Sequence, residues 1–182
     1  MPEQTAPQGL LGAIDRSRFE PHVISLTDLG EGQRDVRTTF SDLVAQPRRD
    51  DWVLTPHPGE AARLLGVSSA EVQGDRFAAL TALQSRYGGA VVLKGSGSLV
   101  LDPRSEFALC PYGNPGMASG GMGDVLSGVV GGLLAQGMRV GDSAAMAMVL
   151  HARAADTAAT SGGERGLLAS DLLPWIRRLA NR

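Results

Sequence analysis

A glycine-rich stretch beside a single acid is the feature of this sequence best suited to chemistry. The stretch NPGMASGGMGDVLSG, residues 114–128, holds five glycines and one acid, Asp124, where an apolar helical pattern begins. Glycines allow successive backbone N–H groups to converge on one point at a helix start, and a helix N-terminus favours a phosphate or a developing oxyanion. We therefore predict an anion hole formed by Gly120, Gly121, Met122 and Gly123.

Asp124 admits two interpretations. It could cap the helix, which is worth about 1 kcal/mol. It could instead take a proton from a hydroxyl while the glycines hold the phosphate that this hydroxyl attacks. A general base contributes roughly 10²–10⁴-fold to a rate, and one anion-hole donor roughly 10²–10³-fold. Spacing alone leaves both open, although the stretch is not a Walker A loop because it lacks the GKS or GKT ending.

Two further segments could bind a ligand. In KGSGS, residues 94–98, glycines let the backbone approach a ligand and Lys94 can reach a phosphate; the alternative is a plain turn with a solvated lysine. His57 lies between two prolines at the end of a predicted strand, and ligands bind at strand ends in open α/β sheets. The alternative for His57 is an ordinary surface histidine.

The elements that must position these residues form an alternating pattern. From Trp52 onward, short apolar strands alternate with helices, which predicts an α/β domain with a largely parallel sheet. Before it we predict only a short strand near His22 to Leu26 and a helix in DVRTTFSDLVA. The later predictions are a strand DWVLT, a helix from Pro58 to Gly66, a helix opened by Ser68 and Glu71 and running to Gly88-Gly89, a strand AVVLK, a hairpin around Asp102-Pro103, and helices over 121–136, about 142–159 and about 170–179.

Composition narrows the class of protein. The chain has 182 residues, 43% of them hydrophobic, and a formal net charge of −2, so no global basic field attracts nucleic acid. The single cysteine, Cys110, excludes an intramolecular disulfide and is expected to be a small buried apolar residue. Neither a signal-peptide pattern nor an apolar run of roughly 20 residues is present. We therefore expect a cytoplasmic protein without membrane partners.

Four segments resemble one known family. TPHPGEAARLLG, KGSGS, NPGMASGGMGDVLSG and RGLLASDLL occur in the order and approximate spacing of the ADP/ATP-dependent NAD(P)H-hydrate dehydratases, a branch of the ribokinase-like fold. The resemblance covers residues 52–182, and GMASGGMGDVLSG is specific to that family. It implies a ribokinase-like α/β fold with a mostly parallel sheet flanked by helices. It also implies that the domain is shortened at its N-terminal side, with residues 1–51 as a divergent segment.

The resemblance also implies a reaction. ADP, or ATP, would phosphorylate the hydroxyl of hydrated NAD(P)H (NAD(P)HX), and elimination of phosphate would restore NAD(P)H, with Mg²⁺ bridging the nucleotide phosphates. Asp124 resembles the family's catalytic base and substrate contact, and His57 resembles a contact to the hydrated dinucleotide. No residue is assigned as a metal ligand, and a homo-oligomer, by resemblance a tetramer, is expected. The residues that match the family's nucleotide site are Lys94, Gly95, Ser96, Gly97, Ser98 and Gly123.

Residues 1–51 lack the glycine-rich motif and the Asp-Ala-Asp-Ala-Leu-Asn type segment of the family's N-terminal half. The chain could therefore be a shortened domain with weak or altered activity, or one that keeps the catalytic residues without a complete pocket. Two other functions stay open: a ribokinase-type small-molecule kinase that stops at the phosphorylated product, and a nucleotide-binding chain without catalysis. The choices between NADHX and NADPHX, and between ADP and ATP, also stay open.

Overall fold

The structure, a computed structural model, describes residues 22–24 and 48–181. The predicted helix in DVRTTFSDLVA lies outside these residues. The strands are β1 (His22–Ile24), β2 (Trp52–Leu54), β3 (Ala90–Leu93), β4 (Leu99–Leu101) and β5 (Phe107–Leu109). The helices are α1 (Pro58–Leu65), α2 (Ser69–Gly74), α3 (Arg76–Tyr87), α4 (Met122–Ala135), α5 (Val140–Gly162) and α6 (Leu173–Ala180), with 3₁₀ turns at Pro115–Met117 and Ala169–Leu172.

The described strands form one sheet in the order β1-β2-β3-β4-β5. The pairs β1–β2 and β2–β3 are parallel, whereas β3–β4 and β4–β5 are antiparallel. The prediction of a mostly parallel sheet is therefore wrong for these strands, which form a mixed sheet. The reason is the short connections at 94–98 and 102–106, because antiparallel strands can be joined by a tight turn while parallel strands need a crossover of a dozen or more residues.

Local sequence signals explain where most helices begin and end. Pro58 occupies the first position of α1, and Gly66 ends it in the left-handed conformation, with φ of 75°. The single helix predicted after Ser68 is instead two helices. Its Ser68 and Glu71 capping box is present, but Asp75 leaves helical geometry, with φ of −144° and ψ of 89°, and its carboxylate caps α3 by accepting from the Ala78 N–H.

The sheet is covered on both faces. Successive strand residues point to opposite sides, so Leu54 and Leu93 join the core against α1 and α3, while Val53 and Val92 join the core against α4 and α5. Cys110 is fully buried in the second core, as expected, and burial raises the pKa of its thiol. No helix among the described residues is long and apolar enough to cross a membrane.

Candidate functional site

His57 is the N-cap residue of α1, directly beyond the end of β2. Its Nδ1 accepts from the N–H groups of Gly59 at 3.1 Å and Glu60 at 3.2 Å. The Glu60 carboxylate closes the capping box by accepting from the His57 backbone N–H at 2.6 Å. With Nδ1 accepting, the ring proton lies on Nε2, which is 3.4 Å from Glu60 Oε1. Half of the imidazole remains exposed, so His57 combines a structural role with access to a ligand.

Glu60 links this helix start to the loop after β3. Its side chain is only 3% exposed, and Oε2 lies 3.6 Å from Lys94 Nζ. The Lys94 backbone N–H donates to the Pro56 carbonyl at 2.9 Å, so the ends of β2 and β3 are held side by side. A buried carboxylate is costly unless it is paired and hydrogen-bonded, and Glu60 meets both conditions here.

Lys94 also reaches the glycine-rich start of α4. A Cβ added to Gly123 would lie 3.2 Å from Lys94 Nζ. The ammonium group therefore lies close to the Gly123 backbone, and any side chain at this position would crowd it. Lys94 is thus the point at which the three sequence motifs meet: the His57–Glu60 turn, the 94–98 loop and the start of α4.

Asp124 does not cap α4. Gly121 is the N-cap residue, in the left-handed conformation with φ of 83°, and no side chain caps this helix. Asp124 sits in the first helical turn, exposed, and its carboxylate makes no hydrogen bond or ion pair with any residue in the described part of the chain. The capping interpretation is therefore wrong, and the acid is accessible beside the predicted anion hole.

A cavity of about 450 Å³ lies between the 94–98 loop, the 111–118 segment, the start of α4 and the middle of α5. Its volume is within the range of small-molecule sites. All six residues matched to a nucleotide site line it, and so does Met122, whereas Gly120, Gly121, Asp124 and His57 do not. The cavity is lined by Lys94, Gly95, Ser96, Gly97, Ser98, Pro111, Tyr112, Gly113, Asn114, Pro115, Met117, Ala118, Met122, Gly123, Leu126, Met148, His151 and Ala152.

An acid on α5 fixes the wall of this cavity opposite the 94–98 loop. The Asp156 carboxylate accepts from the Gly113 N–H at 2.9 Å and from the Asn114 side-chain amide at 3.0 Å. The side-chain oxygen Oδ1 of Asn114 in turn accepts from the Gly116 N–H at 3.0 Å. The side chains of Asp156 and Asn114 thus fix the orientation of three N–H donors in the 113–116 segment.

His151 forms part of the cavity floor and is held neutral. It is buried, and its Nε2 has no hydrogen-bond partner among the described residues. Burial, together with the nearby charge of Lys94, lowers the pKa of His151 to about 4, and the opposing hydrogen bond of the Met122 carbonyl does not offset this. A second positive charge is thereby avoided next to Lys94.

Comparison with known proteins decides the family. A family model described as NAD(P)H-hydrate dehydratase matches residues 36–178. The chain belongs to the NAD(P)H-hydrate dehydratase family. The resemblance carried by the four sequence motifs is thus confirmed.

The chain matches only part of the length of its curated relatives. It is 57% identical over 134 residues to the bifunctional NAD(P)H-hydrate repair enzyme Nnr of Coxiella burnetii, covering 74% of this chain and 28% of that protein. It is 48% identical over 131 residues to the ADP-dependent (S)-NAD(P)H-hydrate dehydratase of Neisseria meningitidis, covering 71% of this chain and 44% of that protein. The matched region thus spans between about a quarter and a half of these relatives.

Solved structures give the same fold. The ADP/ATP-dependent NAD(P)H-hydrate dehydratase of Bacillus subtilis, co-crystallised with ATP and Mg²⁺, matches with a TM-score of 0.70 and 31% identity, over 75% of this chain and 50% of that one. A ribokinase-like superfamily protein of Enterococcus faecalis matches with a TM-score of 0.60 and 27% identity, over 72% and 45%. The α/β ribokinase-like fold is therefore confirmed.

Several residues that shape this dehydratase-family site escaped the sequence analysis. Glu60 follows His57 by three residues, as Glu71 follows Ser68, and both pairs form capping boxes. The spacing could therefore have predicted the capping role of Glu60, but not its burial. His151 and Asp156 lie in the helix predicted over about 142–159, and no motif marks them. Their roles depend on contacts with distant parts of the chain, which are Met122 and Lys94 for His151 and Gly113 and Asn114 for Asp156.

Proposed function

We propose that this chain catalyses the ADP-dependent dehydration of NAD(P)HX to NAD(P)H, with ATP as an alternative phosphoryl donor. The observation that carries the proposal is the meeting of three family motifs at Lys94, beside a cavity that all the residues matched to a nucleotide site line. Family membership and the names of the Neisseria and Bacillus relatives support the reaction.

The residues divide into a base and a phosphate-binding part. Asp124 takes the proton from the hydroxyl of the hydrated nicotinamide ring, and this oxygen attacks the terminal phosphorus of ADP, releasing AMP. The backbone N–H groups at Gly120 to Gly123 and the Lys94 ammonium stabilise the charge that develops on the transferring phosphoryl group. Phosphate then leaves with its carbon–oxygen bond electrons, and loss of a ring proton restores the reduced nicotinamide. The sum is NAD(P)HX and ADP giving NAD(P)H, AMP and phosphate.

The described residues suit a Mg²⁺ ion that arrives with the nucleotide. They contain no group of three His, Cys, Asp or Glu side chains placed to hold a metal, and Mg²⁺ is commonly held by substrate phosphates, waters and only one or two carboxylates. Asp124 is the accessible carboxylate next to the predicted anion hole. Bound to the nucleotide phosphates, the ion would neutralise part of their charge and lessen the repulsion between them and the Asp124 carboxylate, which stays free to act as the base.

The substrate and assembly assignments complete the proposal. His57 contacts the hydrated dinucleotide through its exposed imidazole face, while Lys94 to Ser98 and Gly123 hold the adenine nucleotide. A homotetramer is proposed on the resemblance, and the half-exposed Phe107 and Leu109 on β5 support association at that sheet edge. The division into residues 1–51 and 52–182 stays a prediction.

The test is recovery of absorbance at 340 nm from NADHX or NADPHX in the presence of ADP and Mg²⁺. We expect recovery by the full 182-residue chain and its loss in Asp124→Asn, with ADP binding retained. Asp142→Asn is the control, because Asp142 is also an acid in the first turn of a long helix, although it is half-buried and paired with Arg104 and Arg139. It should keep full activity.

The rival functions give different results. A small-molecule kinase would convert ADP to AMP without restoring absorbance. A non-catalytic binding chain would bind ADP but would release no phosphate and restore no absorbance, even with the native Asp124. Either result would overturn the proposed reaction.

A further inference from the structure

Arg76, the first residue of α3, lies against the 94–98 loop and uses most of its guanidinium group on that loop. Nη1 donates to the carbonyls of Ser96 at 2.7 Å and Gly97 at 3.0 Å. Nη2 donates to the carbonyls of Leu93 at 3.2 Å and Lys94 at 3.4 Å. A guanidinium has five N–H donors. Arg76 makes four hydrogen bonds with the backbone of residues 93–97, all from its two Nη groups.

The surrounding structure is built for this contact. Asp75 caps α3 and so fixes the helix start from which Arg76 projects. On the loop, Gly95 has φ of 145°, and a Cβ there would lie 3.1 Å from Arg76 Nη2. A glycine at this position allows the guanidinium to approach the backbone closely.

The contact orients the loop's N–H groups. In a trans peptide unit the C=O and the N–H point in opposite directions. Because the carbonyls of Lys94, Ser96 and Gly97 face Arg76, the N–H groups of Gly95, Gly97 and Ser98 face away from it. The Gly95 N–H donates to Ser98 Oγ within the loop at 3.3 Å, so the N–H groups of Gly97 and Ser98 are the ones available to a ligand. The loop lines the cavity and Arg76 does not, so Arg76 lies behind the loop and these N–H groups are presented on the cavity side.

Arg76 also places a positive charge behind the loop. In the described segments no carboxylate forms an ion pair with it, although burial lowers the pKa of its guanidinium. Carbonyl oxygens alone neutralise only part of a full charge. The remaining field and the oriented N–H groups both favour an anion in the cavity.

We propose that Arg76 is a positioning residue that holds the 94–98 loop in the shape that binds the nucleotide's phosphates. This inference rests on the proposed function, since it assigns the anion to the phosphates of ADP. Arg76 touches neither the cavity nor the reacting atoms, so it acts only through the loop.

The test compares Arg76→Lys with the matched variant Arg86→Lys. Lysine keeps the charge but has a single ammonium group that cannot reach four carbonyls in the planar arrangement of arginine. Arg86 lies on the same helix and also donates to a backbone carbonyl, that of Leu64 at 2.8 Å, away from the cavity. Calorimetric titration with ADP and Mg²⁺ should give a Kd at least about tenfold higher for Arg76→Lys. We expect an unchanged Kd for Arg86→Lys.

A kinetic and a dynamic measurement separate positioning from general destabilisation. In Arg76→Lys the KM for ADP should rise about tenfold while kcat changes less than about twofold, and the Gly95 amide, which donates to Ser98 Oγ within the loop, should exchange hydrogen faster than in the wild type. Arg76→Gln, which keeps a side-chain N–H donor without the charge, is the second variant should the lysine variant fold poorly.

A Kd for ADP within twofold of the wild type in folded Arg76→Lys would overturn the inference, and so would an equal loss in Arg86→Lys. If the wild-type chain bound no ADP, the proposed function would fail by itself. The exchange measurement would then decide: unaltered exchange of the Gly95 amide in Arg76→Lys would show that Arg76 does not hold the loop.

Discussion

The Lys94 ammonium lies 3.6 Å from Oε2 of Glu60, a carboxylate that is only 3% exposed. The same oxygen accepts from the His57 backbone N–H. One buried acid therefore connects the turn that carries His57 with the loop that carries Lys94. The proposed dinucleotide and nucleotide contacts are positioned by a common group.

Glu60→Gln should weaken ADP binding several-fold, because the amide can still accept from the His57 N–H but no longer holds the Lys94 ammonium by charge. Calorimetric titration with ADP measures the effect. Glu71→Gln is the matched control, since Glu71 closes the Ser68 capping box in the same way at an exposed position. Equal effects on ADP binding would mean that Glu60 serves only as a helix cap.

Gly123→Ala should lower ADP affinity without unfolding the protein. The added methyl group would lie 3.2 Å from Lys94 Nζ, the mobile end of a flexible side chain, so the ammonium group must shift while the backbone stays in place. Gly128→Ala in the same helix meets nothing within 4 Å and should only stabilise, by up to about 1 kcal/mol, through helix propensity. Titration with ADP and urea unfolding of both variants check this. Unchanged affinity in Gly123→Ala would contradict the placement of Lys94.

His151 should make the fold less stable in acid. Its pKa is lowered from 6.5 to about 4, so between these values the unfolded chain binds a proton that the folded chain excludes. The free energy of unfolding therefore falls as the pH drops through this window. The free energy of unfolding, measured in urea, should fall between pH 7 and pH 4.5. This decrease should be smaller by roughly 2 kcal/mol in His151→Gln than in the wild type.

The control for this pH dependence is Met146→Gln, which changes an exposed residue of α5 that carries no titratable group. It should reproduce the wild-type drop between the two pH values. If His151→Gln lost as much unfolding free energy as the wild type between the two pH values, His151 would be protonated in the folded protein at pH 4.5.

Asp156→Asn should loosen the 111–118 wall of the cavity. The carboxylate accepts from both the Gly113 N–H and the Asn114 amide, whereas an asparagine side chain has a single acceptor oxygen. Hydrogen exchange at the Gly113 amide should become faster, with weaker ADP binding. Asp171→Asn, which removes a carboxylate from the Leu168 N–H elsewhere, should leave both unchanged. Protected exchange at Gly113 in Asp156→Asn would contradict this role.

Short-range signals in the sequence predicted most elements. Pro58 and Gly66 marked both ends of α1, and the hairpin around Asp102-Pro103 forms as β4 and β5. The errors arose where neighbouring signals competed. Asp75 could continue a helix or cap the next one. The alternation of strands and helices predicts a mostly parallel sheet, whereas the short connections favour antiparallel pairing.

The sequence by itself determined the family and most of the helices and strands, because helix starts, turns and motif spacing are local properties of the chain. Whether Asp124 caps its helix was left open by the sequence and decided by the structure. Only the tertiary structure decided that Glu60 is buried against Lys94, that Arg76 holds the 94–98 loop from behind, and that His151 stays neutral. Burial and charge pairing depend on which distant segments the fold brings within a few ångströms. Spacing along the chain does not contain that information.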